Sequence, residues 1–396
     1  MKIKELELIA IGGIEAITLS FNERVNIICG PNGIGKSTIL EAVALSFSHG
    51  AANALTKHYK HSSGRVSALL YDGEKSHVRT LEISRFDPSL DPDYYWEPVP
   101  DLTKHLLYSK TARTFDYIPL ESIRRDDHKN GQAIWSDMKN GLPTEDIKNW
   151  FVHRFLYSMH PGSLTEEQVN NYNLAKKCFS TLNDQFSFSN VEGSSNDILV
   201  STPTGIIYYE YLSSGFKSCI SILFGIIKEI EYRFTNPRIS AEEFAGTILI
   251  DELELHLHPE WQSRITSTIA EIFPNAQFIV TTHSPHIIQS AGRNEIIALE
   301  EAEGFTGVRE LPTSAEGYKG WTIDEVLTDI MGMADTRSEY FQSLIEKFGK
   351  AIDQENIQIA EDLYEELDRA LHPSNPSRKL LRVQLASIQG GDHGEA

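Results

Sequence analysis

Residues 3–9 and 14–20 alternate apolar and polar side chains, a period of two that predicts paired strands turning at Gly12-Gly13. Val25 to Cys29 follows as a nearly continuous apolar run, the pattern of a strand covered on both faces. Residues 66–71 and 77–83 alternate again around Asp72-Gly73, a hairpin signal. From about 84 to 196 the periodicity weakens, and Pro88, Pro92, Pro98 and Pro100 punctuate an aromatic loop, Asp93-Tyr-Tyr-Trp96. Two helices are predicted beyond it. One, over 144–157, opens behind Pro143; the other, over 165–182, opens at the capping box Thr165-Glu-Glu-Gln168. Strands at 197–201 and 206–211 pair across Thr202-Pro-Thr-Gly205, and Ser213 to Phe234 reads as a long, mostly apolar, buried helix. Thr247 to Ile250 and Phe278 to Val280 are short and wholly apolar, as the central strands of a covered sheet are.

After Trp321 the period becomes helical. Tyr340, Leu344 and Phe348 share one helix face, and Ala360, Leu363, Tyr364, Leu367 and Leu371 share another. A third short helix carries Leu381, Leu385 and Ile388 beyond the breaker Pro373-Ser-Asn-Pro376. The expected organisation is a head over 1–320, with a helical and irregular insertion at about 85–190, and a helical tail over 321–396 whose last residues are disordered. No internal repeat is visible, and no heptad arm is long enough for a coiled coil.

Composition narrows the class. The longest apolar stretch, Cys219 to Ile227, falls far short of the roughly 20 residues a membrane span needs. Cys29, Cys178 and Cys219 show no metal-ligand spacing and cannot all pair, and Met1-Lys-Ile-Lys-Glu-Leu-Glu-Leu is a strand pattern rather than a signal segment. A cytoplasmic protein without a membrane partner is the reading. The net charge of −20 opposes broad nucleic-acid binding, although two basic clusters interrupt it. They are Lys57-His-Tyr-Lys60-His61 with Arg65, and Arg113 with Arg124, Arg125 and Lys129. Such runs are more often solvated faces than nucleic-acid contacts.

The chemistry concentrates after the apolar strands. Gly30-Pro-Asn-Gly-Ile-Gly-Lys36-Ser37-Thr38 fits the phosphate-loop pattern between a strand and a helix. Its glycines let backbone N–H groups turn toward a triphosphate, with Asn32, Gly33, Gly35 and Thr38 in the cradle. Lys36 supplies a point charge to the β- and γ-phosphates, and the Ser37 hydroxyl can ligate Mg²⁺. Asp251 and Glu252 end an apolar strand, Asp251 placed for Mg²⁺ and Glu252 to polarise the attacking water. His283 follows another buried strand, where it can sense the γ-phosphate. Ser213, Ser214, Gly215 and Lys217 open the long helix, a second anion-binding terminus for which one subunit has no triphosphate left. His256 and His258 lie two apart but lack a third metal ligand at usable spacing.

In this order the pieces resemble the ATP-binding-cassette ATPases over roughly residues 1–300: Walker A at 30–38, the signature loop at 212–217, Walker B at 248–252, the D-loop region at 255–259 and the switch histidine His283. The signature Leu-Ser-Ser-Gly-Phe-Lys departs mildly from Leu-Ser-Gly-Gly-Gln, and Gln132 is the least poor candidate for a Q-loop residue. The long separation of Lys36 and Ser213, with Asp-Glu-Leu-Glu-Leu-His-Leu-His-Pro and Thr-Thr-His-Ser-Pro, looks like the RecF/SMC/OLD-type branch rather than a transporter. The resemblance implies an α/β head with a P-loop mixed sheet, flanking helices and an N-terminal antiparallel part, followed here by the helical tail. The roughly sixty residues beyond the ATPase contain no Asp-x-Asp pair of the kind a nuclease domain carries; Asp91-Pro-Asp93 matches on paper, but Pro92 in its Pro-rich loop spoils a strand, so no nuclease site is expected.

Within that branch, Tyr211-Leu-Ser-Ser-Gly-Phe-Lys-Ser-Cys219, Trp321-Thr-Ile-Asp-Glu-Val-Leu and the tail make the chain similar to the ATPase subunits of Septu antiphage systems. That resemblance implies an Mg²⁺-dependent ATPase whose heads associate head to tail around ATP. It also implies a separate HNH nuclease partner, with DNA or other nucleic acid met through the complex. The alternative is a RecF-like repair ATPase acting on DNA directly.

Overall fold

The computed structural model describes residues 1–48, 50–51, 55–87, 94–95, 102–111, 117, 119–126, 129–302, 304–312 and 316–389. Pro88, Asp91, Pro92, Asp93, Trp96, Pro98, Pro100, Arg113 and the terminal segment from Gly390 lie outside the described residues. The described chain divides into two compact units, Met1–Gly332 and Met333–Ala396.

In the first unit, β1 (Lys2–Ile11) and β2 (Ile14–Ser20) form the expected antiparallel pair, and β3 (Val25–Cys29) leads through the phosphate loop into α1 (Lys36–Ser46). The hairpin is β4 (Gly64–Tyr71) and β5 (Ser76–Ile83), with Tyr71 opposite Ser76. The chain continues through β6 (Leu106–Ser109), α2 (Gly131–Asn140), α3 (Ile147–Ser158) and α4 (Glu166–Leu182). A small meander follows: β7 (Ser187–Val191), β8 (Ile198–Thr202) and β9 (Gly205–Tyr208). Then come α5 (Ser214–Arg233), β10 (Thr247–Ile250), α6 (Pro259–Ile272), β11 (Gln277–Thr281), α7 (Pro285–Ser290), β12 (Ile296–Ala302) and β13 (Phe305–Val308).

The central sheet has the order β13-β12-β3-β11-β10-β6, parallel throughout except for β13. Its residues alternate between two cores. Ile28, Leu249, Ile279, Leu106 and Tyr108 face α1 and the antiparallel sheet β2-β1-β4-β5. Ile27, Ile248, Ile250, Phe278, Val280 and Leu107 face α3, α4, α5 and α6. Both faces are covered, which is why these strands are mostly apolar instead of alternating.

Three expectations are adjusted. The predicted insertion at 85–190 contains β6, which closes an edge of the central sheet by pairing in parallel with β10. A four-residue strand buried on both faces carries no alternation, so its sequence signal is short and ambiguous. The predicted strand at 206–211 ends at Tyr208, and Tyr209–Tyr211 form a 3₁₀ turn into the next helix. The head extends to Gly332 instead of 320, because Val326 and Ile330 are buried with Cys29, Ile288, Ala298 and Tyr318.

The second unit holds α8 (Glu339–Asp353), α9 (Ile357–Ala370) and α10 (Ser377–Gln389). Leu344, Phe348, Ala351, Ala360, Leu367, Leu381 and Leu385 form its own core, so the predicted apolar faces cover one another. Among the described residues, no helix of the chain is long and apolar enough to cross a membrane.

Candidate nucleotide-binding site

Strands β3, β11 and β10 lie side by side in parallel, and register aligns their carboxyl ends: Thr281 is opposite Ile28, and Ile250 is opposite Val280. The segments leaving those ends carry the phosphate loop, Asp251-Glu252 and His283. Ligands of open α/β sheets bind at this rim.

The loop is built on left-handed backbone. Gly30, Gly33 and Gly35 have φ of 142°, 77° and 108°. A Cβ on Gly30 would stand 2.5 Å from the Leu299 carbonyl oxygen, and one on Gly35 would stand 2.9 Å from Ile14 Cδ1. Glycine is therefore required twice over, by torsion and by space. Lys36 Nζ donates to the carbonyls of Gly30 and Pro31 at 2.9 and 2.8 Å, which folds the ammonium over the loop. Burial pushes that ammonium below the ordinary lysine range, against the pull of Glu254, Asp251 and Glu252. An arriving phosphate would supply the missing countercharge.

Ser37, in the first turn of α1, donates to Asp251 Oδ2 at 3.1 Å, joining Walker A to Walker B across 214 residues of sequence. The buried Thr281 hydroxyl donates to Asp251 Oδ1 at 2.5 Å and accepts the Glu252 N–H at 2.8 Å. Glu252 has φ of 48°, so this hydrogen bond fixes a strained turn that sets the direction of its carboxylate. Adjacent corners of a magnesium octahedron stand roughly 2.9 Å apart, close to the Ser37–Asp251 separation. Two hard oxygen donors at that distance fit a shared Mg²⁺.

Two residues beyond Walker B, Glu254 takes the Thr282 hydroxyl at 2.7 Å and the His283 N–H at 2.5 Å. Glu254 thus binds the switch segment to the Walker B turn. Thr281 and Glu254 were not singled out from sequence. The signal that could have found them is a hydroxyl pair ending an apolar strand beside an acid-rich turn.

At the signature segment, the exposed Ser213 caps α5 by accepting the Phe216 N–H, and Ser214 is exposed beside it. Gly215 is buried, and a Cβ there would come within 3.0 Å of the His256 carbonyl oxygen. The first turn of α5 therefore lies directly on the D-loop region. Lys217 turns back to donate to the Glu210 carbonyl at 3.0 Å. Among the described residues, no hydrogen bond joins Ser213 or Ser214 to the phosphate loop. His258 caps α6, and His256 is exposed at φ of 67°.

Gln132 is exposed in the first turn of α2. The residue that leaves β6 beside Walker B is Lys110, whose ammonium meets Glu41 on α1 at 2.5 Å, one turn from Ser37. Several cations of the basic clusters face carboxylates of this chain. Lys129 is held by Asp137 at 2.5 Å and Glu229 at 2.8 Å, and Arg124 meets Asp146 at 2.5 Å. Arg65 faces Glu7 at 3.5 Å, and Glu15 sits among His58, Lys60 and His61.

Phosphate loop, Walker B pair and switch segment on one parallel rim, with an antiparallel sheet packed over α1, define an ATPase head of the ATP-binding-cassette type. Residues 45–289 match the family model described as "AAA domain, putative AbiEii toxin, Type IV TA system". The chain is 44% identical to the Septu protein PtuA of Bacillus thuringiensis, covering 98% of this chain and 98% of that protein. It is also 28% identical to the Retron Ec83 probable ATPase of Escherichia coli, over 53% of this chain and 40% of that one. Among solved structures, the SMC head domain from Thermotoga maritima aligns at 16% identity and a TM-score of 0.46, covering 79% of this chain and all of that one. The chain belongs to the Septu PtuA family of ATPases.

Proposed function

We propose that the chain is the ATP-binding and ATP-hydrolysing subunit of a prokaryotic antiphage complex, in which nucleotide state controls a separate HNH-type nuclease. The observation that carries this is the division of the site within one chain. Ser37, Asp251, Thr281 and Glu254 lock Walker A, Walker B and the switch segment together, whereas Ser213 and Ser214 remain exposed on another helix terminus. In this reading two heads meet head to tail, each ATP lying between one phosphate loop and the partner's signature loop. Asn32, Gly33, Gly35, Lys36 and Thr38 hold the phosphates, and Ser37 with Asp251 holds Mg²⁺, which neutralises phosphate charge when bound. Glu252 orients and polarises the attacking water, and His283 reads the γ-phosphate. Closure then reaches the nuclease by biasing a conformational equilibrium.

The net charge of −20, with Lys129, Arg124 and Arg65 each facing a carboxylate, supports contact with nucleic acid through the complex over direct binding by this chain. Glu252→Gln tests the catalytic part: turnover should fall ~10²–10³-fold, while ATP binding persists and the associated state lengthens. Unchanged turnover would remove Glu252 from its role. Co-purification with an HNH nuclease, and its loss of ATP-dependent control in the same variant, tests the partner.

A further inference from the structure

Outside the nucleotide site, the described residues bring one group of potential metal ligands together: Glu15, His58 and His61. Glu15 stands near the start of β2, and the two histidines lie in the segment that precedes β4. One ligand atom from each lies within 4.8 Å of the others. His61 Nε2 is 2.6 Å from Glu15 Oε2, and His58 Nδ1 is 3.9 Å from Glu15 Oε1. Tetrahedral zinc at 2.0–2.2 Å from nitrogen and oxygen ligands keeps them roughly 3.3–3.5 Å apart. Reaching that geometry lengthens the shorter contact by about 0.7–0.9 Å, shortens the longer one by about 0.4–0.6 Å, and draws the two imidazole nitrogens, now within 4.8 Å, to the same spacing.

The segment is already held in place. Its backbone is pinned to the end of β1 by His58 N–H to the Ala10 carbonyl and Gly12 N–H to the Thr56 carbonyl, both 2.8 Å. His58 is buried, and its Nδ1 accepts the Lys60 N–H at 3.3 Å, a hydrogen bond that a metal bound at that nitrogen would displace. Lys57 Nζ donates to the His61 carbonyl at 2.7 Å, which steadies the second histidine. The Lys60 ammonium stands 4.0 Å from Glu15 and is the local cation, but its side chain is 56% exposed and can swing away.

We propose that Glu15, His58 and His61 form a zinc-binding site, with two imidazoles and one carboxylate as ligands and the fourth position open to water. Imidazole selects a borderline transition ion over Mg²⁺, which prefers an all-oxygen shell. The site braces the Gly12-Gly13 turn, where Gly12 lies against Thr38 of the phosphate loop, its Cβ position 3.6 Å from Thr38 Cγ2. It is independent of Ser37 and Asp251.

The test is equilibrium dialysis of the full-length, metal-stripped chain against ZnCl₂ without nucleotide, with Co²⁺ absorption spectra to read coordination. The wild type should take up ~1 equivalent at micromolar free Zn²⁺, and Co²⁺ should show the intense visible bands of a four-coordinate site. His61→Ala and Glu15→Gln, which alter accessible side chains, should each weaken uptake at least ~100-fold and abolish those bands. His77→Ala, which alters a histidine paired only with Asp72 at 2.7 Å, should leave both unchanged. Zinc uptake that His61→Ala and Glu15→Gln leave intact, or no saturable uptake below millimolar Zn²⁺, would overturn the assignment.

Discussion

Replacing Thr281 with Val isolates the hinge between the proposed Mg²⁺ ligand Asp251 and the proposed water-activating Glu252. The side chain is fully buried, and its hydroxyl makes two hydrogen bonds at once, to Asp251 at 2.5 Å and from the Glu252 N–H at 2.8 Å. Valine keeps the shape and removes both. A hydrogen bond to a charged acceptor contributes about 1.5–3 kcal/mol, and an orphaned buried N–H costs about 1–3 kcal/mol. Together they predict about 3–5 kcal/mol lost from the apo chain, measurable by denaturant unfolding. Turnover should suffer separately, because the Glu252 turn at φ of 48° loses the bond that holds it. Misplacing a reacting group by about 1 Å costs ~10²-fold, so kcat should fall on that scale with a smaller change in ATP affinity. Thr281→Ser keeps the oxygen and gives up only a methyl group, about 1 kcal/mol, so it should restore most of the turnover. The reasoning fails if Thr281→Val hydrolyses ATP at the wild-type rate, or if Thr281→Ser is as impaired as Val.

Two further outcomes follow from packing and charge. Gly215→Val would drive a side chain into the His256 carbonyl, so ATP-dependent self-association should be lost by light scattering while nucleotide binding to the isolated head survives; wild-type turnover would refute the coupling. Glu229 is fully buried; burial alone would raise its carboxyl, but Lys228, Arg233 and Lys129 hold it down at about 2. A pKa depressed from the ordinary value of about 4.3 contributes about 3 kcal/mol at neutral pH, lost as pH falls from about 4.3 through 2. Glu229→Gln should therefore unfold more easily at pH 7, with the gap to wild type narrowing toward pH 3. A gap that stays constant with pH would refute the assignment.

The chain's local patterns determined a large share of this molecule. A period of two marked β1, β2, β4 and β5, the capping box Thr165–Gln168 marked the start of α4, and glycine spacing marked the phosphate loop. These features are written within a few residues of one another, because torsion, capping and side-chain alternation act locally. Tertiary structure alone decided which strands distant in the chain became neighbours. It placed Leu106–Ser109 at the sheet edge beside Walker B, joined Ser37 to Asp251, and set Thr281 and Glu254 against the Asp251-Glu252 turn and the His283 segment. It also turned Lys129 inward to Asp137 and Glu229, and gathered Glu15 with His58 and His61. Most of these contacts link residues tens to hundreds of positions apart, brought together when apolar strands and helices bury their faces. Periodicity records which face of an element is buried. The partner it meets is a property of the whole fold.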